Sequence, residues 1–138
     1  MTIHTNSAVT RTSGNIATIL FIVVIIFQIL IATGLLPITM AWGGQQAELT
    51  PGLRIASIVS AVLLGLFAYI IRRRAGLPGT KRITAFIKVF AWFVTAYMAF
   101  NTLGNLTSQS TAEKMIFTPI TMILTVVCFL VSISKQEG

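Results

Sequence analysis

Four apolar runs, Ile16–Leu36, Leu53–Ile71, Ile83–Leu103 and Met115–Ser134, occupy most of a 138-residue chain. At about 1.5 Å per residue in a helix, each can cross roughly 30 Å of hydrocarbon. The pattern predicts an all-α, membrane-embedded bundle of four transmembrane helices. No stretch is left for a soluble domain, so residues 1–138 are expected to form a single integral membrane domain. Composition agrees, with 55% hydrophobic and only 9% charged residues, where a soluble domain carries about 25% charged residues.

The charges give the bundle a direction. Four crossings put both termini on one side. That side carries Arg11, Arg72, Arg73, Arg74, Lys81, Arg82 and Lys135, while the other has only Arg54 and Lys114. The positive-inside rule then places both termini in the cytoplasm, as in a multi-pass protein of a bacterial cytoplasmic membrane. Lys88, inside the third run, can snorkel back to the same face. A net charge of +7 would suggest nucleic acid in a soluble protein. Flanking apolar helices, it fits the anionic lipid surface instead, so no nucleic-acid partner is expected. Arg72, Arg73, Arg74, Lys81 and Arg82 are candidate anionic-lipid contacts, or topology determinants that bind no particular lipid.

Local signals mark the helix ends. The first run is longer than the hydrophobic region of a signal peptide, and Gly34 and Pro37 end it as a mature helix would end. Residues 1–14 read as a frayed polar tail, with Ser13 or Asn15 as cap. Thr50-Pro51 opens the second helix, Gly76 and Pro78 follow its end, Thr80 can cap the third, and Gly104 and Asn105 end it. Ser110-Thr111-Ala112-Glu113 reads as a capping box at the start of the fourth.

Polar residues inside the apolar runs are few. Ser57, Ala61 and Gly65 in the second helix, and Ala91, Thr95 and Ala99 in the third, are spaced for close helix approach. Thr118, Thr121, Thr125, Cys128 and Ser132 form a stripe on the fourth. The stripe is either a packing seam with satisfied hydroxyls or the wall of a hydrated path. Gln28 is the strongly polar side chain near the middle of the first run; a hydroxyl of the fourth helix is its expected partner. Gln28, Thr118, Thr121 and Thr125 are therefore candidate intramembrane polar contacts.

At the external ends of helices 2 to 4 the chain gathers Glu48, Arg54, Asn101, Asn105, Glu113 and Lys114. Arg54, about one turn into its helix, is expected to pair with Glu48 or Glu113. Asn101 and Asn105, one turn apart, are expected to face one cleft. Glu48, Arg54, Asn101, Asn105 and Glu113 thus form either an outward-facing polar site or a structural clasp.

Other chemistry is not encoded. Aspartate is absent, the single histidine is His4 and the single cysteine Cys128. These can assemble neither a metal site nor a nucleophile–base pair, and there is no phosphate-cradling glycine loop. No cofactor, metal or enzymatic activity is expected.

The combination of Ala41-Trp42-Gly43-Gly44, Leu53-Arg54 with Ala56 and Ser57, Asn105-Leu106 with Ser108, Glu113 and Pro119 resembles a family of uncharacterised small four-pass bacterial membrane proteins. Arg often follows the glutamate in that family; here Lys114 stands there. The resemblance implies four helices with an ordered external rim, and no activity. The length also invites comparison with small multidrug transporters, but the first run has Gln28 where they carry an acid. The expected function is a small-solute transporter or channel subunit, working as a homo-oligomer. The alternative is a non-transporting module that binds lipid or stabilises a partner membrane protein.

Overall fold

The computed structural model describes residues 7–77 and 83–134. Its helices are α1 (Ser7–Thr33), α2 (Pro51–Arg74), α3 (Ala85–Leu106) and α4 (Thr118–Ser132), with a π-helical turn, Glu113–Phe117, leading into α4. Two 3-10 turns, Ile38–Met40 and Trp42–Gly44, shape the α1–α2 connection. Among the described residues there is no strand, and four helices are long and apolar enough to cross a membrane, the mark of a multi-pass membrane protein.

The helix starts follow local chemistry. Thr50 Oγ1 accepts the Leu53 amide at 3.2 Å and Pro51 occupies the first turn, as expected. On α3 the cap is Thr84, whose hydroxyl accepts the Ile87 amide at 3.3 Å; Thr80 lies outside the described residues. The π turn has its cause at Pro119. Proline has no N–H, and its ring crowds the carbonyl four residues back. The turn before it widens, so that both the amide and the hydroxyl of Thr118 reach the Glu113 carbonyl.

The start of α1 differs from expectation. The helix begins at Ser7, and the polar turns read as a frayed tail are packed: Thr10, Ser13 and Gly14 are buried. A Cβ at Gly14 would stand 2.8 Å from Ala75 Cβ and 3.0 Å from a Leu77 methyl. This contact with the segment just past α2 holds the turns, a tertiary effect invisible to hydropathy. Gly65 shows the reverse. It was expected to allow close approach, yet nothing lies within 4 Å of its would-be Cβ. Gly14→Ala is therefore expected to lower stability by about 1–2 kcal/mol through overpacking. Gly65→Ala is expected to be neutral or to raise it by up to ~1 kcal/mol through helix propensity. Thermal unfolding of the two variants in the same detergent checks both.

Around the bundle, α1 packs on α2 and on α4, and α3 packs on α4; α2 and α3 touch least of the four neighbouring pairs. Phe67 sits at the centre, with ring centroids 6.5 Å from Phe21, 5.0 Å from Tyr97 and 6.3 Å from Phe93. Phe21, Ile71, Ile87, Met98 and Leu124 are fully buried, while Ile19, Val62, Phe86, Val89 and Phe100 are exposed on the outer faces. An outer surface this apolar suits lipid as solvent rather than water.

The α4 stripe is a packing seam. Thr121 and Thr125 donate to the carbonyls of Phe117 and Thr121 at 2.8 and 2.7 Å. Thr95 meets Ser132 at 3.1 Å, Thr102 meets Thr125 at 3.5 Å, and Asn105 donates to Thr121 at 3.2 Å. These seam groups, Thr95, Thr102, Asn105, Thr121, Thr125 and Ser132, are thus bonded to the helix backbone or to each other.

The three consecutive arginines have separate places at the end of α2. Arg72 Nη1 donates to Asn15 Oδ1 at 3.4 Å and Thr18 Oγ1 at 3.3 Å. Arg73 lies over the Tyr69 ring, 5.7 Å from its centroid. Arg74 is buried, and its Nη2 donates to the carbonyls of Ser132 and Ser134. It caps the C-terminus of α4, where backbone carbonyls lack helical partners and the helix dipole favours a cation. Arg74 is therefore no lipid-facing charge, contrary to the sequence reading. Lys81 and Arg82 lie outside the described residues.

Candidate functional site

At the opposite end of the bundle, the α1–α2 connection is tied to the α3–α4 connection. Trp42, Gly43 and Gly44 have φ values of 55°, 79° and 75°. Three consecutive left-handed residues make a tight knuckle, and only the glycines adopt it without strain. The knuckle turns the Gly43 N–H toward the Glu113 carboxylate, 3.2 Å from Oε2. Gly43 O accepts the Gln109 amide at 3.0 Å. Gly44 presses on the α3–α4 connection so closely that a Cβ would fall 2.6 Å from Ser110 N. The Trp42 indole N–H donates to Ser57 Oγ at 3.2 Å, across to α2.

Glu113 is the hub of this clasp. Its amide donates to Ser110 Oγ at 3.3 Å, the expected half of a capping box. Its carboxylate does not return to the Ser110 amide; it accepts from Ser108 Oγ and from Gly43. Ser108 Oγ takes the Ser110 amide instead, at 2.9 Å. The π turn contributes to this geometry. In an α-helix, residues five apart lie about 140° around the axis; the widened turn lets Glu113 and Thr118 bond along one side.

Beneath the clasp lies a cavity of about 160 Å³. Trp42 and Glu113 form its roof and Phe67 stands on its wall toward the bundle centre. Gln28 enters from α1, Ser60 and Leu63 from α2, Tyr97, Asn101 and Asn105 from α3, and Phe117 and Thr121 from α4. Asn101 and Asn105 share this cleft, as their spacing suggests. Asn105 is bonded to Thr121. Gln28, Ser60, Tyr97 and Asn101 are different: among the described residues none has a side-chain hydrogen-bond partner, and Gln28 Oε1 is wholly buried. The expected bond from Gln28 to an α4 hydroxyl is not made; Thr121, the α4 hydroxyl that lines the cavity, donates to Phe117 O and accepts from Asn105 instead.

Two rim residues stand apart. Arg54 and Glu48 are exposed, and among the described residues Arg54 forms no ion pair with Glu48 or Glu113. Arg54 is in the first turn of α2 with access to water, so burial does not force a partner on it, and the Glu113 carboxylate is already engaged. Thr118 and Thr125 belong to the α4 seam rather than the cavity. Ser60 and Tyr97 were missed by sequence reasoning. A tyrosine near the middle of a crossing helix is the signal that could have found the second, since interfacial tyrosines belong at helix ends.

Comparison of the chain with protein-family models, with curated proteins and with solved structures gives no match. The structure itself supplies the description: a four-helix, multi-pass membrane protein with a polar cavity under a tied roof. Of the residues in the pattern noted from the sequence, Ala41, Trp42, Glu113 and Asn105 line the cavity and Gly43, Ser57 and Ser108 hold its roof, while Arg54 and Leu106 lie exposed away from it.

Proposed function

We propose that the chain binds a small uncharged polar solute within the membrane and serves as a small-solute transporter or channel subunit. One observation carries the reading. Four polar side chains, Gln28, Ser60, Tyr97 and Asn101, border a single cavity and have no side-chain hydrogen-bond partner among the described residues. At membrane depth an unpaired polar group costs several kcal/mol, and Gln28 Oε1 is buried with no partner among those residues, so a guest that bonds it is favoured there. Along the α3–α4 seam, by contrast, Thr95, Thr102, Asn105, Thr121, Thr125 and Ser132 are hydrogen-bonded.

Phe67, buried at the bundle centre, lines the cavity, so a transport role calls for either a second conformation or a pathway shared between copies of the chain. The excess of Arg and Lys at the end of the bundle opposite the clasp supports a cytoplasmic position for both termini, by the positive-inside rule. Of the five candidate lipid contacts, Arg72 and Arg73, at that end, are the described ones that remain half-exposed to meet anionic lipid. The alternative, a non-transporting module that steadies a partner membrane protein, is favoured by the tied roof.

Stopped-flow entry of glycerol or urea into proteoliposomes tests the transport reading. Gln28→Leu and Asn101→Leu are each expected to slow it by roughly 2–10-fold, the equivalent of one hydrogen bond. Flux no faster than in protein-free vesicles, or flux that neither variant alters, would sink it.

A further inference from the structure

We infer that the occupant of this cavity is the uncharged, glycerol-sized head of a membrane amphiphile, which enters sideways from the lipid between α2 and α3. The inference rests on the reading of the cavity as a binding site and names its ligand class.

Charge is decided by the walls. No Lys or Arg lines the cavity, and the one carboxylate, Glu113, is engaged by Gly43 and Ser108. A phosphate-bearing head would be desolvated there with no cation to meet it. The unpartnered groups ask for a mixture: Gln28 Oε1 needs a donor, the Gln28 and Asn101 amides offer donors, and the Tyr97 hydroxyl can do either. Hydroxyls supply both roles. Size agrees, since a cavity of about 160 Å³ matches the roughly 150 Å³ that accepts a six-carbon ring, and glycerol also has six heavy atoms.

Access is decided by the packing. The roof toward the clasp end is tied by Gly43, Trp42 and Glu113. The α2–α3 side is the least packed of the bundle, and two cavity-lining residues on it, Leu63 and Tyr97, are also exposed on the outer surface. Tyr97 and Asn101 further line a second, apolar groove on the outer face of α3, completed by Phe93, Ala96 and Phe100. The polar cavity and the apolar groove thus share two residues. That is the layout for one molecule with a polar head and an acyl tail, the head bonded within and the tail along the groove.

Trp42 lines the cavity, and the other tryptophan, Trp92, does not. A Trp92→Phe background therefore leaves a reporter at the site. The full chain is placed in nanodiscs of phosphatidylcholine, and the probe is dioleoylglycerol brominated on its acyl chains, which quenches indole at short range. Expected is saturable quenching of Trp42 beyond that given by brominated phosphatidylcholine at equal mole fraction. Asn101→Leu and Tyr97→Phe are expected to weaken it by roughly tenfold, about two hydrogen bonds' worth, with thermal unfolding showing both variants folded. Quenching no greater than that of brominated phosphatidylcholine, quenching unchanged in both variants, or stronger quenching by brominated phosphatidylglycerol, overturns the inference. If it falls while glycerol flux still responds to Gln28→Leu, the small-solute reading stands alone. If lipid binding holds and flux is absent, the amphiphile is the ligand and the transport role falls. If both fail, the cavity is not a binding site.

Discussion

Replacing Glu113 by alanine is expected to destabilise the protein by about 2–4 kcal/mol, since hydrogen bonds to a charged group contribute roughly 1.5–3 kcal/mol each. The carboxylate accepts from the Gly43 amide and the Ser108 hydroxyl, so truncation leaves a donor of each connection without its partner. The knuckle also depends on it. Trp42 holds a left-handed backbone conformation, with φ 55°, which costs a side-chain-bearing residue about 1–2 kcal/mol. Without the carboxylate that cost is no longer offset, and the knuckle is expected to relax toward ordinary φ values, carrying the indole off Ser57. Three readouts should move together: the denaturation midpoint, the Trp42 emission maximum toward the red, and amide exchange at Gly43. Glu113→Gln keeps an accepting oxygen and is expected to lose about half as much. An alanine variant with wild-type stability and unchanged exchange at Gly43 would show that the clasp does not hold the loop.

The second large effect belongs to Arg74. Arg74→Ala is expected to cost about 3–5 kcal/mol, because it removes charge-assisted bonds to two carbonyls at a buried helix end and leaves those carbonyls unpaired. Arg74→Lys is not a conservative exchange here, since one ammonium cannot present the planar fork that reaches both Ser132 and Ser134; it is expected to recover less than half of the loss. The neighbouring positions make the contrast. Arg72→Ala and Arg73→Ala remove half-buried, longer contacts and are expected to cost no more than about 1 kcal/mol each. Equal effects at all three positions would mean that the basic run acts as a block of charge rather than through Arg74 alone.

Hydropathy located the helices because lipid-crossing segments need apolar length before anything else, and that need is written residue by residue. It missed the first turns of α1, since Gly14 there is pressed against Ala75 and Leu77 just past α2, a contact made far along the chain. The clasp was half legible. Ser110 and Glu113 have capping-box spacing, but which donor the carboxylate chooses depends on where the Gly43 amide is carried by a separate loop. The Arg54 pairing failed for a related reason: charge and depth named the partners, while the geometry of the connections had already assigned the carboxylate. Gln28 stood out as an amide in an apolar run. What it faces is set by which helices pack loosely, a property of the assembled bundle. Ser60 and Tyr97 became informative only when the missing partners around them could be seen.

The two ties lie at opposite ends of the molecule, and each joins the first helical pair to the second. Gly43 on Glu113 fastens one end, and Arg74 on the last carbonyls of α4 fastens the other. Between them α2 and α3 run side by side with the thinnest packing in the bundle. Neither tie joins α2 to α3 directly, and both can stay in place if these two helices part at mid-length. Of the four seams between neighbouring helices, parting this one would break the fewest contacts, chief among them those of Phe67 with Phe93 and Tyr97.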